Sequence, residues 1–147
     1  ISNKKITDLM FIYYTSGTTG QPKGVCHNLK NFIINSKLFG DFYKIDHRSV
    51  FLNFLPLSYL GGSFNLILIP FINCSKVILI NEINNFILLT LKEIIIKNKI
   101  NILWIIPSII VALLYINREK NKNLLFNRLD YVFCGTAPLN ENTKSEL

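Results

Sequence analysis

Cysteine is scarce in this sequence. Three residues in 147, Cys26, Cys74 and Cys134, cannot staple a disulfide-dense scaffold. None of them stands in a CxxC pair, so neither a zinc site nor a dithiol redox pair has support in the spacing. Charge is also sparse, at 17% of residues against 50% hydrophobic. That balance is the inverse of the composition that keeps a chain disordered. A long uninterrupted apolar run is missing. The most hydrophobic stretch, residues 100–116 (INILWIIPSIIVALLYI), is broken by Asn101, Pro107 and Ser108. Its β-branched front and helical rear read as a buried strand and then a helix with Pro107 in its first turn, not as a transmembrane span. Residues 1–5 (ISNKK) lead into no apolar signal region. No internal repeat is present. Three unpaired thiols, expected to be buried, suit a reducing, cytoplasmic setting.

What is abundant is Ile, Asn and Lys, together 54 of the 147 residues. The net charge of +7 comes from 13 Lys and 3 Arg against 9 acidic residues. The lysines are scattered from Lys4 to Lys144, where nucleic-acid binding needs a basic face with aromatic or helical readers. A coding bias toward A and T accounts for the lysine excess, and no nucleic-acid partner is expected. The length fits one domain or a piece of one.

Apolar runs alternate with amphipathic segments. Strands are expected at residues 9–14 (LMFIYY), 25–27, 49–54 (SVFLNF), 76–80 (KVILI), 102–106 and 129–134 (LDYVFC). The continuous run at 9–14 implies burial on both faces. Helices are expected from an Asn28 cap to about Phe39, near 64–72, from an Asn84 or Asn85 cap to about Asn98, and over 107–116. Residues 117–123 (NREKNKN) read as a surface loop. Strands alternating with helices predict an α/β fold with a layered, mostly parallel sheet flanked by helices. In such sheets ligands sit beyond the strands' carboxyl ends.

The informative stretch is the loop over residues 15–24. Thr15, Ser16, Gly17, Thr18, Thr19, Gly20, Gln21, Pro22, Lys23 and Gly24 hold three glycines, four hydroxyls and one lysine. Glycines let backbone approach an anion and take positive φ, and successive N–H groups then form an anion-holding concavity. Hydroxyls add donors without charge, Lys23 adds one mobile cation, and Pro22 stiffens its approach. The pattern suits a polyphosphate. It is not a Walker A loop, which ends Gly-Lys-Ser/Thr and opens a helix. Here Pro22 precedes Lys23, and a β-like Val25-Cys26 follows Gly24.

YTSGTTGQPKGV, Tyr14 to Val25, resembles the phosphate-binding signature of the adenylate-forming (AMP-binding) enzymes, a superfamily that includes acyl-CoA synthetases, luciferases and peptide-synthetase adenylation domains. Further stretches agree in order. Leu55-Pro56-Leu57-Ser58-Tyr59-Leu60-Gly61-Gly62 is similar to the family's Leu-Pro-Leu-x-His-x-x-Gly segment. Trp104-Ile105-Ile106-Pro107-Ser108 is similar to its Val-Pro-Thr step. Phe133-Cys134-Gly135-Thr136-Ala137-Pro138-Leu139 is similar to its Gly-Gly-Ala-Pro-Leu segment. The resemblance implies that ATP and a carboxylate give an acyl-adenylate and pyrophosphate, and that coenzyme A then accepts the acyl group. It implies Mg2+ as well. Carried over by motif, Thr15, Ser16, Gly17, Thr18, Thr19, Gly20 and Lys23 hold the ATP phosphates. Tyr59, Gly135, Thr136, Ala137 and Pro138 border the adenine and acyl pocket.

Some positions depart from the family. Tyr59 stands where His is frequent, which leaves a steric or gating role but no titration near neutral pH. Of two histidines common after Gly24-Val25, His27 matches the first and Leu29 replaces the second, so His27 is expected to be structural. His47 has no assigned role. The family's Mg2+-binding Glu, ribose-binding Asp and catalytic Lys belong to segments beyond Leu147. Residues 1–147 are therefore expected to be a partial adenylation domain without its C-terminal lid, exposing strand edges and apolar faces, and inactive alone. Two readings compete. An amino-acid-activating domain needs an Asp shortly after the Leu-Pro segment, and no acidic residue lies between Asp46 and Glu82. A non-catalytic remnant of the family is the other.

Overall fold

Phe51 and Leu52 are neighbours on the strand Val50–Asn53, and both are fully buried. Successive strand residues point to opposite faces, so this strand must be covered on both sides. The computed structural model, which describes residues 5–15, 17, 20–80, 84–117, 128–135 and 137–145, shows how. In chain order the elements are β1 (Leu9–Thr15), β2 (Lys23–Asn28), α1 (Leu29–Tyr43), β3 (Val50–Asn53), a π-helix (Gly61–Leu68) that continues as α2 (Ile69–Ile72), β4 (Lys76–Leu79), α3 (Asn85–Asn98), β5 (Ile102–Ile105), α4 (Pro107–Asn117), β6 (Tyr131–Cys134) and α5 (Glu141–Ser145).

Strands β3 to β6 form one sheet in the order β4-β3-β5-β6, and every neighbouring pair is parallel. Parallel neighbours need crossovers, and helices supply them. One core cluster joins Leu52, Leu103 and Ile105 of the sheet to Leu91 and Ile95 of α3 and to Ile109, Ile110 and Leu113 of α4. The other joins Phe51 and Ile102 to Ile45 and to Leu66 of the π-helix, with Phe39, Tyr43, Trp104, Tyr131 and Phe133 packed around them. Burying each such side chain contributes roughly 1.5–3 kcal/mol. The α/β expectation holds, and the parallel part of the sheet is wholly parallel.

Polar side chains set the element ends. Asn28 caps α1 by accepting from the Asn31 N–H at 2.8 Å, and Asn84 caps α3 by accepting from the Ile87 N–H at 2.9 Å. Asn101 ties the amino ends of three strands together. Its Oδ1 accepts from the Val50 N–H at 2.7 Å, its Nδ2 donates to Asp130 Oδ2 at 2.7 Å, and its carbonyl accepts from the Asp130 N–H at 2.8 Å. The helix expected near 64–72 begins earlier, at Gly61, and its first eight residues are π-helical. Helix α1 runs on to Tyr43, where Lys44 in the left-handed region closes it. The loop expected at 117–123 lies, apart from Asn117, outside the described residues.

Two expectations are corrected. The run at 9–14 is not buried on both faces. It pairs antiparallel with β2 in a separate two-stranded sheet, with Leu9, Met10, Ile12 and Tyr14 exposed. A continuous apolar run cannot tell which of its faces is covered within one chain. The three cysteines, expected to be buried, are all exposed: Cys26 on β2, Cys74 in a turn after α2, and Cys134 at the end of β6.

Helix α1 meets α2 without a side chain at Gly40. The Asn73 amide fills that space, its Nδ2 donating to the carbonyls of Ser36 and Ile69 at 2.9 Å each. A Cβ at Gly40 would collide with the Asn73 side chain. Those two bonds keep the amide from yielding, so the clash outweighs the ~0.5–1 kcal/mol that alanine gains over glycine inside a helix. Gly40→Ala is expected to destabilise the protein by ~1–3 kcal/mol. In Gly40→Ala/Asn73→Ala the combined loss should fall below the sum of the singles, as read by denaturant titration. Simple additivity would contradict the contact.

The turn before β3 carries the clearest electrostatic feature. Arg48 Nε donates to Asp46 Oδ2 at 3.0 Å and the Arg48 N–H donates to Asp46 Oδ1 at 2.8 Å. These bonds from Arg48 lower the Asp46 carboxyl from 3.8 to about 2. A depressed folded-state value stabilises the fold above the unfolded value near 3.8, and that contribution is lost as pH falls toward 2. The Asp46 carboxyl carbon should titrate near 2 by NMR and move back toward 3.8 in Arg48→Ala. No movement would contradict the assignment.

Candidate functional site

Strand β1 pairs antiparallel with β2, with Thr15 opposite Lys23. Thr15 Oγ1 donates to the Lys23 carbonyl at 3.4 Å, closing the neck of the loop. The loop is thus shorter than residues 15–24, because both ends belong to strands. At the tip, Gly17 and Gly20 have φ of 60° and 81°. A side chain at either is strained, and a Cβ on Gly17 would also run into the Gln21 carbonyl oxygen. Left-handed residues in a short turn are the backbone form that gathers N–H groups around an anion. Lys23 is exposed, and the two ion pairs among the described residues, Arg48–Asp46 and Lys144–Glu141, leave it uninvolved. Ser16, Thr18 and Thr19, expected to lend hydroxyls, lie outside the described residues.

One face of the hairpin is packed. His27 stacks on Phe32 of α1 at 4.9 Å and meets Tyr13 edge-on at 6.1 Å. Phe32 in turn stacks on Phe64 of the π-helix at 4.5 Å. His27 therefore sits in an aromatic seam, which agrees with the structural role expected of it. The Tyr13 hydroxyl lies 2.9 Å from Ser63 Oγ.

Residues 54–60 follow the carboxyl end of β3, and Asn53 shapes them. Its side chain is buried, with Nδ2 donating to the Gly62 carbonyl at 2.9 Å and Oδ1 accepting from the Leu55 N–H at 3.0 Å. Gly62 is tight against the Pro56 carbonyl, where a Cβ would clash. Tyr59 is exposed, and a Cβ at Gly61 would come within 2.5 Å of its ring. Since Gly62 and Ser63 are held at the carboxyl end of β3, the Tyr13–Ser63 contact places the hairpin beside that edge of the sheet.

Gly135, Ala137 and Pro138 follow β6 and share the same edge. The Gly135 N–H donates to the Ile105 carbonyl at 3.4 Å. A Cβ at Gly135 would meet only Trp104 Nε1, at 3.7 Å, so packing within the described chain does not demand a glycine there. Thr136 lies outside the described residues. Desolvation raises the Cys134 thiol above its ordinary value, which keeps it protonated and a poor nucleophile.

Sequence reasoning missed Asn53, Tyr13 and Ser63. The available signal was an asparagine inside the apolar run SVFLNF, since a buried amide must find partners. The residues present do not fit a Mg2+ site. No Asp or Glu lies between Asp8 and Asp41, and among the described residues no three His, Cys, Asp or Glu side chains gather. Among the described residues no helix is long and apolar enough to cross a membrane.

The family model described as "AMP-binding enzyme" matches residues 2–147. This chain belongs to the AMP-binding enzyme family. It is 32% identical over 138 residues to an acetyl-coenzyme A synthetase of Vibrio cholerae, covering 92% of this chain and 21% of that protein. It is 30% identical over 117 residues to the acetyl-coenzyme A synthetase of Shewanella frigidimarina, covering 77% and 18%. The chain thus spans about a fifth of the length of the curated relatives it matches. Among solved structures, ATP-bound MatB from Rhodopseudomonas palustris superposes with a TM-score of 0.84 at 23% identity, over 99% of this chain and 27% of that one. A fatty acyl-adenylate ligase from L. pneumophila, in complex with acyl adenylate and pyrophosphate, gives 0.81 at 23% identity, over 99% and 26%. At that identity these structures establish the fold, which is that of the AMP-binding family's parallel-sheet domain.

The glycine-shaped tip generates a direct expectation. Gly17→Ala forces a side chain into the left-handed region and against Gln21, a strain of order 1–3 kcal/mol. Binding of inorganic tripolyphosphate should weaken by about tenfold or more, equivalent to roughly 1.4 kcal/mol, in isothermal titration. Unchanged affinity would show that the tip's conformation is not part of an anion site.

Proposed function

We propose that this chain is the ATP-phosphate-binding part of an AMP-forming acid–thiol ligase, which joins a carboxylic acid to ATP and passes the acyl group to coenzyme A. The observation that carries this reading is the hairpin. It carries left-handed glycines at Gly17 and Gly20 and an exposed Lys23, and it packs through Tyr13 on Ser63, near the carboxyl end of β3, the end at which ligands of parallel sheets bind. In the first step a carboxylate oxygen bonds to the α-phosphorus of ATP, and the bond from that phosphorus to the bridging oxygen breaks. Pyrophosphate leaves with its added charge. Such a displacement is helped mainly by positioning and by neutralising the leaving group. Thr15, Gly17, Gly20 and Lys23, with Ser16, Thr18 and Thr19, are the residues we assign to the β- and γ-phosphates. In the second step the thiol of coenzyme A displaces AMP from the acyl-adenylate.

Tyr59, Gly135, Thr136, Ala137 and Pro138 are assigned to the adenine and acyl pocket. The open space at Gly135 supports this, because a ligand's ring can use it. The apolar stretches at 64–72 and 104–114 hold core residues, with Leu66, Ile69, Ile105, Ile109, Ile110 and Leu113 all buried, so their hydrophobicity is no guide to the acid. The relatives are acetyl-coenzyme A synthetases, which makes acetate the first acid to test. A cytoplasmic setting suits three exposed, unpaired thiols.

Carboxylate-dependent exchange of labelled pyrophosphate into ATP tests the reading on the intact protein. Acetate, a long-chain fatty acid, benzoate and an amino acid are the acids to offer. Exchange with one class is expected, and Lys23→Ala should lower it by about tenfold or more, in line with losing one group that stabilises developing charge. No exchange with any acid, or full activity in Lys23→Ala, would overturn it.

A further inference from the structure

Between the hairpin and the Tyr59 loop runs a short polar relay. Ser63 Oγ lies 2.9 Å from the Tyr59 carbonyl oxygen and 2.9 Å from the Tyr13 hydroxyl. A carbonyl can only accept, so the single Ser63 hydroxyl proton goes to Tyr59. The Tyr13 O–H must then be the donor to Ser63 Oγ. The order is Tyr13 O–H to Ser63 O–H to Tyr59 C=O.

We propose that Tyr13 and Ser63 are positioning residues that couple the phosphate hairpin to the Tyr59 loop, so that occupation of the hairpin tip orders the loop assigned to the acyl side. The coupling rests on the functional reading of the two loops, while the relay itself does not. Three features support it. The Tyr13–Ser63 bond is partly buried, where a hydrogen bond is stronger than in water, while the Ser63–Tyr59 bond is exposed. Its two ends are held by different bodies. Tyr13 lies on β1, whose tip carries Gly17 and Gly20, and Ser63 lies in the first turn of a π-helix. A π-helix is a rare form, frequent at functional sites and able to tighten. Lastly, the Tyr59 loop is held by Asn53 through Leu55 and Gly62 and by its own backbone, the Tyr59 N–H donating to the Pro56 carbonyl at 3.1 Å and the Tyr59 carbonyl accepting from the Ser63 N–H at 3.0 Å. Beside the aromatic contact of Phe32 with Phe64, the Tyr13–Ser63 bond is the polar contact that joins the hairpin to this turn among the described residues. Tyr14, the neighbouring tyrosine, points the other way and is 73% exposed, so it serves as an internal control.

Hydrogen exchange read by mass spectrometry on the intact protein decides the matter, with inorganic tripolyphosphate as the probe. In the wild type tripolyphosphate should slow exchange in the peptide holding Gly17 and Gly20, and also in the peptide holding Tyr59 to Ser63. Tyr13→Phe should keep the first protection and lose the second, while Tyr14→Phe keeps both. Without ligand, Tyr13→Phe and Ser63→Ala should each speed exchange over residues 59–63 by about threefold or more, and the double variant should add little. That non-additivity is the signature of one shared path. Persistence of loop protection in Tyr13→Phe, or additive ligand-free effects, would overturn the coupling. Absence of protection at Gly17 and Gly20 would instead remove the phosphate reading and with it the coupling, and the ligand-free arm would still decide the relay.

Discussion

The arrangement at the carboxyl edge depends on one buried amide. Asn53 is the last residue of β3, the strand that carries the sheet's fully buried Phe51–Leu52 pair, and it is itself almost wholly buried. An unpaired buried amide costs ~1–3 kcal/mol, so the chain must supply partners. It does so by folding residues 55–62 back until the Leu55 N–H and the Gly62 carbonyl both meet the side chain. That fold-back needs glycine at 62, sets where the π-helix starts, and brings Ser63 under Tyr13. Asn101 plays the matching part at the opposite end of the sheet.

The hairpin is positioned by aromatic packing rather than by backbone pairing to the parallel sheet. Phe11, Tyr13 and His27 rest on Phe32, and Phe32 rests on Phe64. A second aromatic group, Phe39, Tyr43, Trp104, Tyr131 and Phe133, fixes the other half of α1 against β5 and β6. The helix is thus the strut between the two sheets. Its inner line, Phe32, Ser36 and Gly40, is large where it meets the hairpin and absent where Asn73 enters.

Much of this was legible in the sequence. The Asn28 and Asn84 caps, the run KVILI and the step at Pro107 follow from local chemistry, because capping amides and β-branched runs act over a few residues. The loop we assign to phosphate stood out in the sequence because glycine, hydroxyl and lysine at that density have few other uses. What local patterns could not show was which face each element covers. The run at 9–14 has no alternation, yet only its Phe11–Tyr13 side is packed, since the pairing partner is β2 and not the main sheet. The cysteines looked buried from type alone and are exposed, because each sits at a strand or turn whose outer side the described chain leaves open. Asn53, Tyr13 and Ser63 belong to contacts across 9 to 50 positions in sequence, beyond any local pattern.

A crystal structure of the intact protein with ATP bound is the decisive measurement. The β- and γ-phosphates should lie between β1 and β2, with the backbone N–H groups of Gly17 and Gly20 turned toward them and Lys23 Nζ at ion-pairing distance. The adenine should lie beside Gly135. Nucleotide bound with its phosphates away from Gly17, Gly20 and Lys23 would rule out the phosphate-binding role of the hairpin.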